Sequence, residues 1–301
     1  MIRRRRVLQI GAAALAMAGR PVQAAPVYVW RGTALGAQAS IRLSHPDRAH
    51  AETLATRCVD EIRRLEAIFS LYDAHSALSR LNRDGRLAEP PFELLTLLSQ
   101  AEAMRRLSDG AFNVRIQPLW EAYAACAADG IAPAGSGRVA EAAGLLDGPI
   151  DADAGTIRLG KPGMKLSFNG IAQGYITDRI ADLLRAEGMS DLLLNLGEIR
   201  AHGSRAVGRP WQIGLPGGRT IRLQDRAVAT SDPAGTVFAE PGGGHHLFDP
   251  RHGLPSSAAR PVTIIAPTAT LADGLSTALA VRPDSLPATL PDMADVEVIW
   301  A

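Results

Sequence analysis

Residues 165–184 read Lys-Leu-Ser-Phe-Asn-Gly-Ile-Ala-Gln-Gly-Tyr-Ile-Thr-Asp-Arg-Ile-Ala-Asp-Leu-Leu. The pattern predicts a short apolar strand over residues 164–168, a glycine turn, and an amphipathic helix that ends at Gly188. Gly170 and Gly174 carry no side chain, so a ligand could approach the turn closely while the first helical N–H groups favour an anion. The spacing differs from the dinucleotide fingerprint G-x-G-x-x-G, so a plain structural turn remains the alternative.

The segment before this stretch is predicted to be mainly helical. Residues 27–43 favour a strand or hairpin, and a long amphipathic helix follows from Asp47, a plausible N-cap, to Phe69. A second helix begins after Pro90-Pro91 and stops near Gly110, and a third covers residues 118–128. Asp109 to Asn113 is therefore predicted to be a loop.

The segment after it is predicted to be rich in strands. One further helix is expected at residues 271–281, and short strands are expected at residues 191–196, 199–203, 211–215, 219–223, 227–231, 262–266 and 296–300. One more short strand, at residues 156–159, is expected just before the stretch. Clustered helices next to runs of strands favour the α+β class, with mixed or antiparallel sheets and flanking helices.

The first 24 residues have the form of a cleaved signal peptide. Four arginines precede an apolar, alanine-rich run, and Val22-Gln23-Ala24 resembles a cleavage site. The arginines favour twin-arginine export, with an ordinary export signal as the alternative, and we expect a soluble periplasmic protein without a lipid anchor. Cleavage removes five arginines and changes the net charge from +1 to −4, which argues against nucleic acid as a partner.

The mature chain, residues 25–301, is expected to fold as one domain without a transmembrane segment. Its composition, 47% hydrophobic and 21% charged, is ordinary for a globular protein. Cys58 and Cys126 are too few for a disulfide scaffold or a cysteine metal cage, and two buried free thiols are favoured over one bridge.

Three polar groups are candidates for chemistry. Asp273 and Thr277 share one helix face at i, i+4 and offer hard oxygen ligands for Mg²⁺, although Asp273 could instead cap its own helix. His246, between two glycine-containing loops, could act as a general base near neutral pH. Asp178 lies in the first turns of the helix after Gly170, where a solvated or capping role is the alternative.

Eight short motifs follow one another along nearly the whole mature chain. They are Gly32-Thr33-Ala34-Leu35-Gly36, Phe69-Ser70-Leu71-Tyr72, Asp109-Gly110-Ala111-Phe112-Asn113, Asn169-Gly170-Ile171-Ala172-Gln173-Gly174-Tyr175, Asn195-Leu196-Gly197-Glu198, Ala229-Thr230-Ser231, His246-Leu247-Phe248-Asp249-Pro250, and Ala272-Asp273 with Thr277. In this order they resemble the FAD:protein FMN transferases, also called ApbE-like flavin transferases. The resemblance implies a single ApbE-like, T-fold-like catalytic domain over residues 25–301.

The resemblance also implies an activity: Mg²⁺-dependent transfer of FMN from FAD to a threonine hydroxyl of an acceptor flavoprotein, with release of AMP. Asp273 and Thr277 would bind Mg²⁺ together with the backbone carbonyl of Ala172. His246 would be the base, and Asp178 would contact FAD and contribute to catalysis.

The FAD pocket implied by the resemblance draws on several segments. Tyr72 would lie against the flavin or its linker, and the other implied contacts are Leu35, Asp109, Gly110, Ala111, Phe112, Asn113, Gly170 and Gln173. The family usually has Lys where this chain has Gln173, and Asp where it has Ser167 and Asn113. These lost charges motivate one alternative, a periplasmic FAD-binding carrier without catalysis. A second alternative is an FAD pyrophosphatase, because the same metal and pocket would serve water in place of threonine.

Gln173 with Glu198 also resembles the NosX-type branch of the family. The acceptor would then be a flavin-bearing respiratory membrane protein that faces the periplasm.

Overall fold

A seven-stranded antiparallel sheet with helices packed on one face forms the centre of the molecule. The structure, a computed structural model, describes residues 26–34, 36–205, 209–238, 244–286 and 295–300. The sheet has the strand order β1-β2-β6-β7-β10-β13-β14. Its strands are β1 (Val27–Ala34), β2 (Ala37–Ser44), β6 (Leu192–Asn195), β7 (Ile199–His202), β10 (Ala227–Ser231), β13 (Val262–Ala266) and β14 (Glu297–Trp300). The predicted α+β class with antiparallel sheets is confirmed.

Seven α-helices are formed by the described residues, and three of them border the candidate site. The helices are α1 (Arg48–Phe69), α2 (Ala77–Asp84), α3 (Phe92–Leu107), α4 (Gln117–Asp129), α5 (Gly137–Ala143), α6 (Ala172–Ala186) and α7 (Ala269–Val281). Asp47 caps α1 as predicted, since its side chain accepts a hydrogen bond from the backbone N–H of His50 at 3.1 Å. The buried stripe of α1 then packs against α6 in the main core.

Three small sheets complete the described fold. They are β3-β5-β4, with β3 (Arg86–Ala88), β4 (Ile150–Ala152) and β5 (Thr156–Leu159); β8-β9, with β8 (Trp211–Gly214) and β9 (Thr220–Leu223); and β11-β12, with β11 (Phe248–Asp249) and β12 (Leu254–Pro255). Side chains of β8 and β9 cover the face of the large sheet that the helices leave open, in a second apolar cluster that includes Trp211.

The predicted strand at residues 164–168 is wrong. The backbone N–H of Leu166 donates to Oδ1 of Asn82 at 2.7 Å, and its carbonyl accepts from Nδ2 of Asn82 at 2.8 Å. The N–H of Ser167 donates to the carbonyl of Val114 at 2.8 Å. Because a side chain and a turn carbonyl supply these partners, the segment is extended but belongs to no sheet.

Other predictions can be compared with the described residues. Cys58 and Cys126 are free and buried, as favoured. No helix among the described ranges is long and apolar enough to cross a bilayer. The predicted signal peptide, Leu35 and part of the glycine run before His246 lie outside the described residues.

Candidate functional site

Residues 170–178, the glycine turn and the first turns of α6, run antiparallel to α7 and contact it. Thr277 Oγ1 donates to the carbonyl of Gly170 at 3.3 Å, and the N–H of Gly174 donates to Oδ2 of Asp273 at 3.0 Å. Asp178 reaches the N-terminus of α7. Successive contacts are four residues apart on both sides, at residues 170, 174 and 178 and at residues 277, 273 and 269. All three contacts therefore lie on one face of each segment.

The two glycines at this junction make room for α7. A Cβ at Gly170 would lie 2.7 Å from Thr277 Oγ1, and a Cβ at Gly174 would lie 2.4 Å from the carbonyl oxygen of Ala269. Both distances are too short for any other residue without movement of the helices. The space that we expected a ligand to use at Gly170 is therefore filled by Thr277.

Asp178 has a different role from the predicted flavin contact. Its Oδ1 accepts from the N–H of Ala269 at 2.9 Å and from Arg200 Nη1 at 3.0 Å. Its Oδ2 accepts from the N–H of Thr270 at 2.8 Å and from the Thr270 hydroxyl at 2.7 Å. Four donors use the capacity of a carboxylate, so Asp178 caps α7 and positions it.

Asp273 is buried beside a second buried carboxyl, that of Glu198. Burial, with a smaller contribution from the charge of Asp178, raises the pKa of Asp273 to about 7, and the hydrogen bond from Gly174 opposes this shift. Burial and then the charge of Asp273 raise the pKa of Glu198 well above its usual range. Two carboxyls in one buried place favour a bound cation, because a cation removes their mutual repulsion.

Hydroxyl groups surround the same position. Ser231 Oγ, at the end of β10, lies 2.8 Å from Ser276 Oγ and 3.4 Å from Thr277 Oγ1. Ser276 in turn donates to the carbonyl of Asp273 at 3.0 Å. These contacts fix the side of α7 that carries the two predicted metal ligands.

The donor set fits a hard divalent cation. Among the described residues, Oδ1 of Asp273 receives no hydrogen bond, and the Thr277 hydroxyl and the Ala172 carbonyl belong to the same junction. Within those ranges no three His, Cys, Asp or Glu side chains converge on one point. One carboxylate with neutral oxygens is the kind of set that Mg²⁺ takes when phosphate oxygens and water complete its shell.

A cleft of about 590 Å³ opens beside this junction. Its wall includes Gly36 in the β1–β2 turn, Arg63 of α1, Tyr72, Ala172 and Gln173. The Tyr72 side chain is 90% exposed, which leaves its ring free to stack on a ligand. The volume lies within the range of small-molecule sites, and the cleft brings two of the predicted FAD residues, Tyr72 and Gln173, together with the predicted metal ligand Ala172.

The predicted contacts in the Asp109 to Asn113 loop lie elsewhere. Arg282 Nη2 donates to the carbonyl of Asp109 at 2.9 Å and to its Oδ2 at 3.0 Å, which holds the loop at the C-terminus of α7. Ala111 and Phe112 are buried in the main core. Asn113 Nδ2 donates to the carbonyl of Leu146 at 2.9 Å. None of the residues 109–113 lines the cleft, so in this structure the loop, with Gly110, has a packing role.

Gln173 fills the position where the resemblance expects Lys. It is half-buried, and a Cβ at Gly197 would lie 2.8 Å from its Nε2, so Gly197 is needed for the close contact. Gly197 also has φ +104°, which only glycine adopts easily. The amide is therefore packed into the cleft wall next to the Glu198 backbone.

His246 has the geometry of a neutral base. Its Nδ1 lies 3.0 Å from the carbonyl of Thr236, which can only accept, so Nδ1 carries the proton and Nε2 has a free lone pair. Burial lowers the pKa of His246 below its usual value of 6.5, and the Thr236 carbonyl opposes that shift. The imidazole is therefore uncharged at neutral pH.

Four residues of this region were missed as site residues by reasoning from the sequence. Glu198 ends the motif Asn195-Leu196-Gly197-Glu198 and follows an apolar strand closely, which is a usable signal for a placed carboxylate. Ser231 ends the motif Ala229-Thr230-Ser231, but no role was predicted for it. Arg200 and Ser276 carry no local signal, because each acquires its partner from an element distant in sequence.

The fold and the site define a class of protein: an α+β enzyme with a nucleotide-sized cleft beside a buried acidic junction. The model of the ApbE family matches residues 35–300. The chain therefore belongs to the ApbE family and is an enzyme of the FAD:protein FMN transferase type.

Curated relatives and solved structures agree with this assignment. The FAD:protein FMN transferase of Klebsiella pneumoniae is 28% identical over 242 residues, covering 76% of this chain and 74% of that protein. The one from Vibrio cholerae is 27% identical over 289 residues, covering 90% and 85%. The apo flavinyl transferase ApbE of Pseudomonas stutzeri has the same fold, with a TM-score of 0.77, 24% identity, and coverage of 94% and 95%. The ApbE protein of Thermotoga maritima gives a TM-score of 0.76 at 26% identity, with coverage of 91% and 94%.

Proposed function

We propose that this protein transfers FMN from FAD to a threonine hydroxyl of an acceptor flavoprotein, depends on Mg²⁺, and releases AMP. The observation that carries the proposal is the burial of Asp273 next to Glu198. The Asp273 carboxylate also accepts a hydrogen bond from the N–H of Gly174, which directly follows the cleft residue Gln173. A buried acidic junction directly behind a nucleotide-sized cleft is what cleavage of a pyrophosphate requires, since the charge of the phosphates must be neutralised.

Asp273, Thr277 and the Ala172 carbonyl are the residues that would hold Mg²⁺. When bound, the ion would neutralise the charge of the pyrophosphate and of the leaving phosphate. The α6–α7 contacts keep these three oxygens in place before substrate arrives, so little reorganisation is needed during the reaction.

The remaining steps belong to protein side chains. The Tyr72 ring would stack on the flavin part of FAD, and the cleft would bury part of the linker. His246 Nε2 would take the proton of the acceptor hydroxyl as its oxygen attacks the phosphorus on the riboflavin side. The bond from that phosphorus to the bridging oxygen breaks, and AMP leaves with that oxygen.

Hydrolysis of FAD to FMN and AMP is the closest alternative, because water could replace the threonine in the same pocket. An assay with the purified mature chain, FAD, Mg²⁺ and a threonine-bearing acceptor separates the two reactions. We expect AMP and covalently bound flavin in equal amounts, measured by chromatography and by in-gel flavin fluorescence. Free FMN without flavin on the acceptor would contradict the transferase.

A non-catalytic FAD carrier is the second alternative, and it is motivated by Gln173. A carrier needs neither a buried acidic pair nor a histidine with a free Nε2. We expect Gln173→Lys to retain AMP release, because a cation at this position matches the pattern usual in the resembling family. AMP release that is absent in the wild-type chain under all Mg²⁺ concentrations would favour the carrier.

We further propose that the chain acts in the periplasm after export by its first 24 residues, on a respiratory membrane protein that faces this compartment. The arginine pair Arg5 and Arg6 precedes the apolar run in the way that twin-arginine signals require. Replacing all four arginines, Arg3 to Arg6, by Lys should leave the full-length precursor in the cytoplasm, which cell fractionation and immunoblotting would measure. Unchanged periplasmic yield would favour the ordinary export route.

A further inference from the structure

A second pocket lies on the opposite face of the large sheet from α6 and α7. It has a volume of about 260 Å³ and is lined by residues of β1, β2 and β8, among them Arg31, Arg42, Arg205 and Trp211. In β2 the side chains of Ile41 and Leu43 belong to the core under the helices. Arg42 lies between them in sequence, so it points to the other face.

Three arginines converge on this pocket without a partner. Arg42 is opposite Val29 in the β1–β2 register, and Arg31 is two residues further along β1 on the same face. Among the described residues, no carboxylate forms an ion pair with Arg31, Arg42 or Arg205, whereas Arg57, Arg64 and Arg115 elsewhere are each paired with a glutamate. Neighbouring like charges are unfavourable, so an anion at this position would relieve their repulsion.

Trp211 supplies an independent observation. Its side chain is buried, with 2% exposure, and its Nε1–H finds no acceptor among the described residues. That nitrogen is itself inaccessible to solvent, so the indole borders the pocket through its other atoms and serves as a reporter of binding there. The three guanidinium groups present donors only, and the amide of Gln212 adds a further polar group to the lining.

The number and type of donors indicate the ligand. A carboxylate offers two oxygens, whereas a phosphate group offers three terminal oxygens that can receive several guanidinium forks. Val27 and Val29 form an apolar wall next to the arginines, which suits a small organic group attached to the phosphate. We infer that this pocket binds the phosphate group of a small phosphoester, at a site separate from the cleft.

The inference goes beyond the proposed function and does not depend on it. The phosphate could belong to a free phosphomonoester or to the headgroup of a phospholipid. Binding to either source supports the site, and the two are separated by the probes used.

The test uses the mature chain labelled with ¹⁵N at its tryptophans, with the indole signal of Trp211 assigned by Trp211→Phe. Glycerol 3-phosphate, inorganic phosphate and succinate are titrated separately, and vesicles of phosphatidylglycerol and phosphatidylcholine are tested by co-sedimentation. We expect a saturable shift of the Trp211 indole signal with a phosphate probe and a much weaker one with succinate. Binding only to phosphatidylglycerol vesicles would identify the lipid headgroup as the source.

Variants decide whether the binding belongs to this pocket. Arg42→Gln and the more exposed Arg205→Gln should each weaken phosphate binding about tenfold or more, because a charge-assisted hydrogen bond is lost. Arg158 is an exposed arginine on β5, outside the pocket. Arg158→Gln removes the same charge there and should leave phosphate binding unchanged. FMN transfer should be unchanged in all three variants. No saturable binding to any phosphate probe, equal binding of succinate, or equal loss in Arg158→Gln would overturn the inference.

Discussion

Asp178 and Asp273 lie on the two sides of the α6–α7 contact, and they differ in hydrogen bonding and in burial. Asp178 receives four hydrogen bonds, one of them from Arg200, and is 17% exposed. Asp273 receives one hydrogen bond and is buried beside Glu198, a second carboxyl that carries the same negative charge when it is ionised. The first arrangement stabilises the fold, whereas the second is unfavourable until a cation is bound. The same residue type at one junction therefore serves structure in one case and chemistry in the other.

Asp273→Asn should separate the two roles most clearly. We expect FMN transfer to fall by about a thousandfold or more, because a metal-binding charge is lost while the side-chain shape is kept. The free energy of unfolding should stay equal or rise, since one of two repelling buried carboxyls is neutralised. Initial rates of AMP release and urea denaturation measure the two effects. A variant that is strongly destabilised but active would reverse the assignment.

His246→Gln tests the catalytic side of the comparison from another element. Loss of a general base typically costs about a hundredfold or more in rate, so we expect a drop of that size with the Mg²⁺ dependence unchanged. Because burial lowers the pKa of His246, the wild-type rate should persist to pH values below 6.5 before it declines. His50→Gln, an exposed histidine on α1, is the matched control. The hypothesis fails if both variants keep the wild-type pH profile.

Asp178→Asn tests the structural side. In the wild type, Oδ1 and Oδ2 of Asp178 both accept hydrogen bonds. In the variant, the NH₂ group of the amide would face the N–H of Ala269 or Thr270, and Arg200 would lose its charged partner. We expect a loss of about 2 kcal/mol in the free energy of unfolding, with FMN transfer by the folded fraction largely retained. Asp182→Asn, one turn further along α6 and mostly exposed, should be neutral. A loss of activity without a loss of stability would restore the predicted flavin contact for Asp178.

The pH dependence of stability tests the unfavourable burial of Asp273 without any change of activity. The pKa of Asp273 is raised to about 7 in the folded protein. Without metal, the folded state binds more protons than the unfolded state between pH 4 and 7, so stability is highest at low pH and falls as pH rises. We expect wild type to lose about 2 kcal/mol relative to Asp273→Asn from pH 5 to pH 7.

Urea titrations in EDTA at these two pH values measure this difference. Mg²⁺ should restore the stability at pH 7, because the bound ion favours the ionised carboxylates. A wild-type curve parallel to that of Asp273→Asn would show that burial of Asp273 has no such cost.

Local patterns were sufficient for most of the fold. The Asp47 cap, the helical spacing of α1 and the short strands after Gly188 follow from capping and periodicity, and the structure confirms them. The strand predicted at residues 164–168 failed because its backbone partners, Asn82 and Val114, are remote in sequence. Propensity describes the extended conformation of a segment, whereas its hydrogen-bond partners depend on the rest of the chain.

The candidate site divides in the same way. The sequence by itself determined the α+β class, the family resemblance, and the residues Tyr72, Ala172, Gln173, Asp273 and Thr277, whose types suit a nucleotide and a hard cation. Only the tertiary structure decided that Gly170 and Gly174 admit a helix, that Asp178 is fully bonded, and that Asp273 lies beside Glu198. The physical reason is that residue type fixes what a group can bind, whereas burial and the partners supplied by distant elements fix what remains unbound.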